Sequence, residues 1–295
     1  MRRLAIVWIL TTLLITSCGS PASPSGTTDP VILTSSTILA DITRNIAGDR
    51  VHVESLLPIG ADPHSYQPTP QDAAKIEQSP LIIINGLEYE RSLESLLHNA
   101  PAEKMIIEAS AGISVREDAN GVDPHVWLDP NLVITQVENI REALTHYDPD
   151  GAATYQSNAD NYVRQLAQLD AWITQQVSQI PTEKKLLITN HEALGYFAAR
   201  YGFTVAGSVI ESFSADASPS AQQMAALIDE IKSSGAPAIF LDAGDNPVLA
   251  QQIADETGVR VGTDLHLESL TDGDPAATYL DMMKYNVTQI VNALK

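Results

Sequence analysis

The sequence predicts an α/β fold of two lobes, each with a small, mainly parallel sheet flanked by helices, joined by one long backbone helix. Two observations support this expectation. Short β-rich runs alternate with helical stretches on both sides of the middle of the chain, which is typical of α/β folds. Between the two halves, residues 148–180 keep a helical spacing of apolar residues without an internal break.

The chain has 295 residues, enough for two cores, and we divide it into five segments. They are a signal peptide (1–17), a lipidated cysteine with a flexible tether (18–30), an N-terminal α/β lobe (31–147), the linking helix (148–180) and a C-terminal α/β lobe (181–295). Each lobe is within the usual size range of a domain with its own core.

The beginning of the chain has the features of a bacterial lipoprotein precursor. Arg2 and Arg3 precede an apolar run at 4–15 that is too short to span a bilayer. The Ile-Thr-Ser-Cys sequence that follows ends at Cys18, the only cysteine, and resembles the lipobox in which lipid is attached to the cysteine. Residues 19–30 are mostly Ser, Pro, Gly and Thr, which predicts a tether. We therefore expect an extracytoplasmic protein anchored to a bacterial membrane through Cys18.

Four strands are predicted in each lobe from short runs of β-branched and other apolar residues. In the first lobe these runs are 31–33, 51–57, 81–84 and 105–107, with helices at 37–47 and 131–147. In the second lobe they are 186–189, 204–209, 238–241 and 260–262, with helices at 193–200, 220–232, 248–257 and 276–294. Runs such as Leu81-Ile82-Ile83-Ile84 are apolar on both faces, which indicates parallel strands covered by helices.

The linking helix is predicted from its ends and from its apolar stripe. Asp148 can cap the helix, Pro149 suits the first helical position, and the next proline is Pro181. Apolar residues recur three and four positions apart over this length, which spans about 45 Å at about 1.5 Å per residue. Such a helix could pack on a single core or act as a rigid strut between two lobes.

The charge of the chain restricts its partners. Lys and Arg number 17 and Asp and Glu number 37, which gives a formal net charge of −20. This balance argues against nucleic acid and anionic lipid as partners and is compatible with a cationic ligand.

Three histidines stand where a loop site should be, beyond the carboxyl ends of parallel strands. His64 and His125 each end an Asp-Pro-His tripeptide. The proline restricts the backbone, and the nearby carboxylate could orient the imidazole as it does in many metal sites. His191 comes two residues after the predicted strand 186–189. The remaining histidines are expected to be structural or solvated; they include His52, His98 and His146.

Several stretches together resemble a known family. They are the loop 60–70, the loop 123–130, the Thr-Asn-His run at 189–191 that leads to 196–202, and 278–286 near the C terminus. They resemble the metal-specific solute-binding lipoproteins of bacterial ABC importers, the zinc and manganese receptor family. The likeness covers nearly all of 31–294. It implies one metal ion in the cleft between two lobes, delivered to an ABC permease and its ATPase.

The resemblance also implies the metal ligands. The family's ligand positions fall on His64, His125 and His191, followed by a carboxylate in the loop before the final helix. Three imidazoles and one carboxylate suit Zn²⁺, whereas Mn²⁺ sites favour more oxygen ligands. In this family the position of His191 is often acidic in manganese receptors. We therefore expect Zn²⁺ as the transported ligand, with a manganese receptor as the alternative.

The fourth ligand is open to three assignments. Glu268, followed by the small Ser269, best matches the family's acidic residue. Asp264 is the main rival. His266 is the third candidate; on a short extended segment it would share a face with Glu268, either as a neighbour of the ligand or as a bystander.

The sequence also bears on two other classes of function, a zinc enzyme and a surface adhesin. His191-Glu192 begins like the zinc-protease helix motif, but Gly195 stands where the second histidine must be. Four protein ligands also leave little room for the water that a zinc hydrolase needs, so we expect no enzyme activity. A metal-dependent surface adhesin is the alternative from another class. We expect a monomer with no nucleic-acid partner.

Overall fold

The computed structural model describes residues 30–118, 120–214 and 218–295, and it confirms the predicted α/β architecture. Two parallel four-stranded sheets flanked by helices form two lobes, and a long helix joins them. The predicted signal peptide (1–17), Cys18 and the tether as far as residue 29 lie outside the described residues. Within the described residues, none of the helices is long and apolar enough to cross a membrane.

The first lobe is built on a sheet with the strand order β2-β1-β3-β4. Its elements are β1 (Val31–Thr34), α1 (Thr37–Ala47), β2 (His52–Ser55), α2 (Pro70–Gln78), β3 (Leu81–Ile84), α3 (Glu94–His98) and β4 (Met105–Glu108). A short antiparallel pair, β5 (Glu117–Asp118) and β6 (Gly121–Val122), precedes α4 (Pro130–Tyr147). The central strands β1 and β3 are buried because helices cover both faces of the sheet.

The second lobe repeats this arrangement with the strand order β10-β9-β7-β8, all parallel. Its elements are β7 (Leu186–Thr189), α6 (Gly195–Tyr201), β8 (Thr204–Ser208), α7 (Ala221–Ser234), β9 (Ala238–Asp242), α8 (Val248–Thr257), β10 (Arg260–Leu265) and α9 (Tyr279–Leu294). The register between β9 and β10 shifts between Gly262 and Leu265. The last strand is therefore longer and less regular than the predicted run 260–262.

The linking helix α5 covers Ala152–Val177, 26 residues, after a 3₁₀ turn at Pro149–Gly151. Its buried residues form the predicted stripe: Tyr155, Ala159, Tyr162, Leu166, Leu169, Ile173 and Val177. The α-helix begins later than predicted because Asp148 does not act as its cap. The Asp148 carboxylate instead accepts hydrogen bonds from Arg50 Nε at 2.8 Å and from the Tyr155 hydroxyl at 2.6 Å.

A second connection between the lobes comes from the C-terminal helix α9, which packs against α5 and α1. Thr278 caps α9, and the backbone N–H of Tyr279 donates to Asp41 of α1 at 2.9 Å. The buried hydroxyl of Tyr279 donates to the carbonyl of Trp127 at 2.7 Å. One apolar core consequently runs from the first sheet across α5 to α9.

Candidate metal centre

Four side chains from loops of both lobes meet between the two sheets. His64 lies in the loop between β2 and α2, and His125 lies just before α4. His191 lies two residues after the end of β7, and Glu268 lies in the loop after β10. One donor atom of each side chain lies within 4.8 Å of a donor atom of every other. The loops that follow parallel strands thus bring these residues to one point, as expected for such sheets.

Glu268 is at the centre of this group. Its Oε1 lies 3.0 Å from His125 Nε2, 3.3 Å from His191 Nε2 and 4.0 Å from His64 Nε2. The three imidazole centroids are 5.3 to 6.0 Å apart. All three rings therefore present Nε2 toward one carboxylate, which is the arrangement that a small cation held by four donors requires.

Three buried atoms of this cluster have no hydrogen bond of good geometry among the described residues. They are His64 Nε2, His125 Nε2 and Glu268 Oε2. Buried polar atoms without a partner are rare because their desolvation is not compensated. A divalent cation among the four side chains would supply the missing interaction for all three atoms.

The two Asp-Pro-His tripeptides differ in what their aspartates bind. Asp123 Oδ1 lies 2.8 Å from His125 Nδ1 and also accepts the backbone N–H of His125 at 3.0 Å. Asp123 therefore fixes the ring, as the sequence suggested. Asp62 instead accepts the backbone N–H of His64 at 2.9 Å and the hydroxyl of Ser65 at 2.6 Å. In the first tripeptide the carboxylate thus holds the loop in shape, and it does not orient the imidazole of His64.

The pKa values of the cluster reflect its burial and its single carboxylate. Burial disfavours a charged His125, but the charge of Glu268 and the hydrogen bonds to Asp123 and Glu268 outweigh this effect and raise the pKa of His125 to about 10. Burial and the neighbouring imidazoles lower the pKa of His64 to about 4, against the attraction of Glu268. Burial also opposes ionisation of Glu268, but the charge and hydrogen bond of His125 hold its pKa well below the usual range. In the metal-free cluster the Glu268 carboxylate is thus paired with the protonated imidazole of His125.

Contacts from the first lobe fix the loop that carries Glu268. The Ser269 hydroxyl accepts the backbone N–H of Gly60 at 2.8 Å, and the Leu270 N–H donates to the Thr37 hydroxyl at 3.0 Å. The indole N–H of Trp127 donates to the Leu267 carbonyl at 2.8 Å. The loops holding His64, His125 and Glu268 are therefore connected directly to one another.

The two rivals for the fourth position lie outside this group. Asp264 is exposed and has a φ of 79°, in the left-handed region. His266 is held by Asn286, which accepts its N–H at 2.8 Å, and its ring packs on Tyr285 with centroids 5.4 Å apart. His52, His98 and His146 are not part of the cluster either.

Glu192, the acidic residue of the incomplete protease motif, accepts a hydrogen bond from Asn120 at 3.3 Å and lies outside the four-residue cluster. Gly195, which breaks the protease motif, has a steric role here. A Cβ at this position would lie 2.7 Å from Asp123 Oδ2 and 2.9 Å from Arg116 Nε. The glycine therefore leaves room for the carboxylate that orients His125.

Two acidic residues near the cluster were not singled out from the sequence. Asp242 is the last residue of β9 and accepts the backbone N–H of Leu267 next to Glu268. Asp245 accepts from Asn190, next to His191, at 2.8 Å. Burial and the charges of Glu268 and Asp245 raise the pKa of Asp242 to about 7, although the hydrogen bond from Leu267 opposes this. The sequence contained a signal for Asp242, because this residue stands at the carboxyl end of a parallel strand.

Comparisons with known proteins agree on one family. Residues 32–293 match the family described as zinc-uptake complex component A, periplasmic (ZnuA). The manganese-binding lipoprotein MntA of Halalkalibacterium halodurans is 32% identical over 301 residues, covering 100% of this chain and 99% of that protein. The iron-binding protein YfeA of Yersinia pestis is 34% identical, covering 94% of this chain and 91% of that protein.

A solved structure gives the same result for the fold. The periplasmic zinc-binding protein TroA of Treponema pallidum superposes with a TM-score of 0.84 at 28% identity, covering 90% of this chain and 99% of that chain. The two-lobe architecture around a long helix is therefore shared with a protein that is named for zinc binding.

Proposed function

The chain belongs to the family of periplasmic zinc-uptake components, and from this membership we propose that it captures a divalent metal ion outside the cytoplasm and delivers it to an ABC permease. Members of this family are substrate-binding transport proteins and not enzymes. The observation that carries the proposal is the meeting of His64, His125, His191 and Glu268, whose donor atoms lie within 4.8 Å of one another. Both lobes contribute ligands, so a bound ion would bridge the two lobes.

We propose Zn²⁺ as the preferred ion on the basis of the donor set. Three imidazole nitrogens and one carboxylate oxygen provide the four donors of a tetrahedral zinc site. Imidazole nitrogen suits zinc better than it suits manganese, which favours carboxylate, carbonyl and water oxygens. The orientation of His125 by Asp123 supports a preformed nitrogen ligand.

Mn²⁺ is the second candidate, and the relatives support it as strongly. One relative is named for manganese, another for iron, and the similar structure is named for zinc. Glu268 Oε2 is buried and has no hydrogen-bond partner among the described residues, so it is available as a fifth donor if the carboxylate binds through both oxygens. A bidentate carboxylate would bring the site closer to the oxygen-rich set that manganese prefers.

The partners follow from the same family membership. We propose that a permease and its ATPase receive the ion, and that Cys18 anchors the chain to the outer face of a membrane by attached lipid. Twelve residues, 19–30, separate this cysteine from the first strand, and we propose that this segment, mostly Ser, Pro, Gly and Thr, serves as the tether. We expect the receptor to act as a monomer.

Metal analysis of the purified protein tests the proposal. The chain is stripped with a chelator, equilibrated with equal concentrations of Zn²⁺ and Mn²⁺, separated from free ions and analysed for both metals. We expect one ion per chain, mainly zinc. If the protein retains mainly manganese, the preferred ion is Mn²⁺ and not Zn²⁺. A preparation that retains neither ion would overturn the receptor function itself.

A further inference from the structure

A cavity of about 300 Å³ opens beside the metal cluster. Its wall in the first lobe is the segment 59–62, and its wall in the second lobe consists of 242–245, His266 and 268–271. His191 and Glu268 line its inner end. At the outer end Ala243 and Gly244 are exposed and Ile59 is 53% exposed, so the cavity reaches solvent. We call it the acidic cavity.

The lining of this cavity is rich in carboxyl groups. Asp62, Asp242 and Asp245 line it together with Glu268, and no Lys or Arg is among the described residues of its lining. A cleft lined by one sign of charge raises the local concentration of the opposite ion and its rate of association, by about 10-fold to 1,000-fold. This arrangement therefore favours a cation moving from solvent to Glu268.

A second cavity near the cluster provides a comparison. It has a volume of about 270 Å³ and is lined by Asp123, Arg116, Glu192 and Val205, among others. None of the four donor residues is in the described part of its lining, and its wall includes the guanidinium of Arg116. The acidic cavity is thus the one that reaches the donor atoms.

We propose that the metal ion enters and leaves the site through the acidic cavity while the two lobes stay together. This inference rests on the proposed function, because it takes a divalent cation as the cargo. The contacts between the lobes support it, since Gly60 on one wall donates to Ser269 on the other at 2.8 Å, and α9 is bonded to α1. Passage through the cavity leaves these bonds intact, whereas separation of the lobes breaks them.

Ala243 allows a steric test at the mouth of the cavity. It is exposed and is not one of the four donors, and its backbone N–H bonds to the Leu265 carbonyl at 2.7 Å without involving the side chain. In Ala243→Trp the large ring obstructs the mouth. Because an obstacle on a route raises the barrier equally in both directions, the association and dissociation rates of Zn²⁺ should fall by the same factor, roughly tenfold. The equilibrium affinity should not change.

The rates are measured on the full chain in detergent by stopped flow, with a fast zinc indicator for association and an excess of chelator for dissociation. Val205→Trp is the matched control, because Val205 is 38% exposed and lines the second cavity. Unchanged rates in Val205→Trp with slowed rates in Ala243→Trp would support the route. Slowed rates in Val205→Trp alone, or unchanged rates in both variants, would overturn it.

A charge series at the same position remains informative if the tryptophan variant folds poorly. Ala243→Lys and Ala243→Gln have side chains of similar length and differ by one charge. At low ionic strength association should be roughly tenfold slower in Ala243→Lys than in Ala243→Gln, and the difference should shrink as salt screens the charge. Equal association rates at low salt would overturn the route. Failure of the parent protein to bind Zn²⁺ or Mn²⁺ would instead refute the receptor function, and the two failures are therefore distinguishable.

Discussion

The Nδ1 atom of His125 lies 2.8 Å from Oδ1 of Asp123, and both side chains are buried. This bond fixes the ring so that Nε2 points at Glu268. Loss of such a partner typically weakens metal binding about 10-fold to 100-fold. We expect Asp123→Asn to weaken Zn²⁺ binding by this factor, measured by competition with a chromophoric chelator.

Asp62 is the natural control for this prediction because it occupies the same place in the other Asp-Pro-His tripeptide. It binds the backbone of His64 and the hydroxyl of Ser65. Asp62→Asn should therefore weaken Zn²⁺ binding less than Asp123→Asn does. Equal losses in the two variants would show that orientation of the imidazole is not the reason for the effect.

Much of the fold was predictable because local signals agree with the packing. The helix α1 was predicted with its observed ends, since Ser36 caps it and its apolar face is buried. The delayed start of α5 was not predictable, because the carboxylate of Asp148 is recruited by Arg50, which is 98 residues away in the sequence. A distant partner of this kind leaves no trace in local sequence.

The candidate site, like the fold, was only partly predictable from the sequence. The position of His191 was predicted because it lies beyond the end of a parallel strand, and Glu268 was predicted from the family resemblance. Residue spacing alone could not separate Glu268 from Asp264, because the backbone at Asp264 is left-handed and the register with β9 shifts there. Alternation of faces along a strand assumes a regular backbone, and this segment is irregular.

The identity of the fourth ligand can be tested by three alanine variants. Glu268→Ala removes the only carboxylate in the cluster and should weaken Zn²⁺ binding by more than the roughly 100-fold that loss of an outer partner can cause. Asp264→Ala and His266→Ala should have much smaller effects, because both side chains lie outside the cluster. Isothermal titration calorimetry of the three variants measures this. A greater loss in Asp264→Ala than in Glu268→Ala would refute the assignment.

Metal preference should respond to the donor type at position 191. His191→Asp replaces a nitrogen donor by oxygen, which manganese prefers. We expect the ratio of Zn²⁺ to Mn²⁺ affinity to fall at least about tenfold, equivalent to about 1.4 kcal/mol. Direct competition between the two ions measures the ratio, and His266→Asp is the control at a position outside the cluster. An unchanged ratio in His191→Asp would show that donor type does not select the metal.

Metal affinity should rise with pH. The pKa of His125 is raised to about 10 by its carboxylate neighbours in spite of burial, so the metal-free site holds a proton there at pH 7. That proton must leave when Nε2 binds the metal, so acid favours the metal-free form. His64, with its pKa lowered to about 4 by burial, is already neutral and releases no proton.

The expected dependence is about tenfold in affinity per pH unit for one released proton, between pH 6 and 8. Calorimetry in buffers of different ionisation enthalpy counts the protons directly. The Asp123→Asn variant should release less than the parent protein, because it loses one of the groups that raise the pKa of His125. Binding that releases no proton in the parent protein would contradict the assigned protonation of the pair.

The two connections between the lobes predict a small change in shape on metal binding. The helix α5 has 26 residues and cannot bend sharply without losing backbone hydrogen bonds. The helix α9 adds the bonds from Tyr279 to Asp41 and to Trp127. Each of these hydrogen bonds contributes about 0.5–1.5 kcal/mol net of solvation, so wide opening of the cleft is disfavoured. We therefore expect nearly identical radii of gyration for the metal-free and metal-bound protein in X-ray scattering, with any movement confined to small tilts and loops. A large decrease in radius of gyration on adding Zn²⁺ would show that the lobes close by a hinge and that these contacts form only in the closed state.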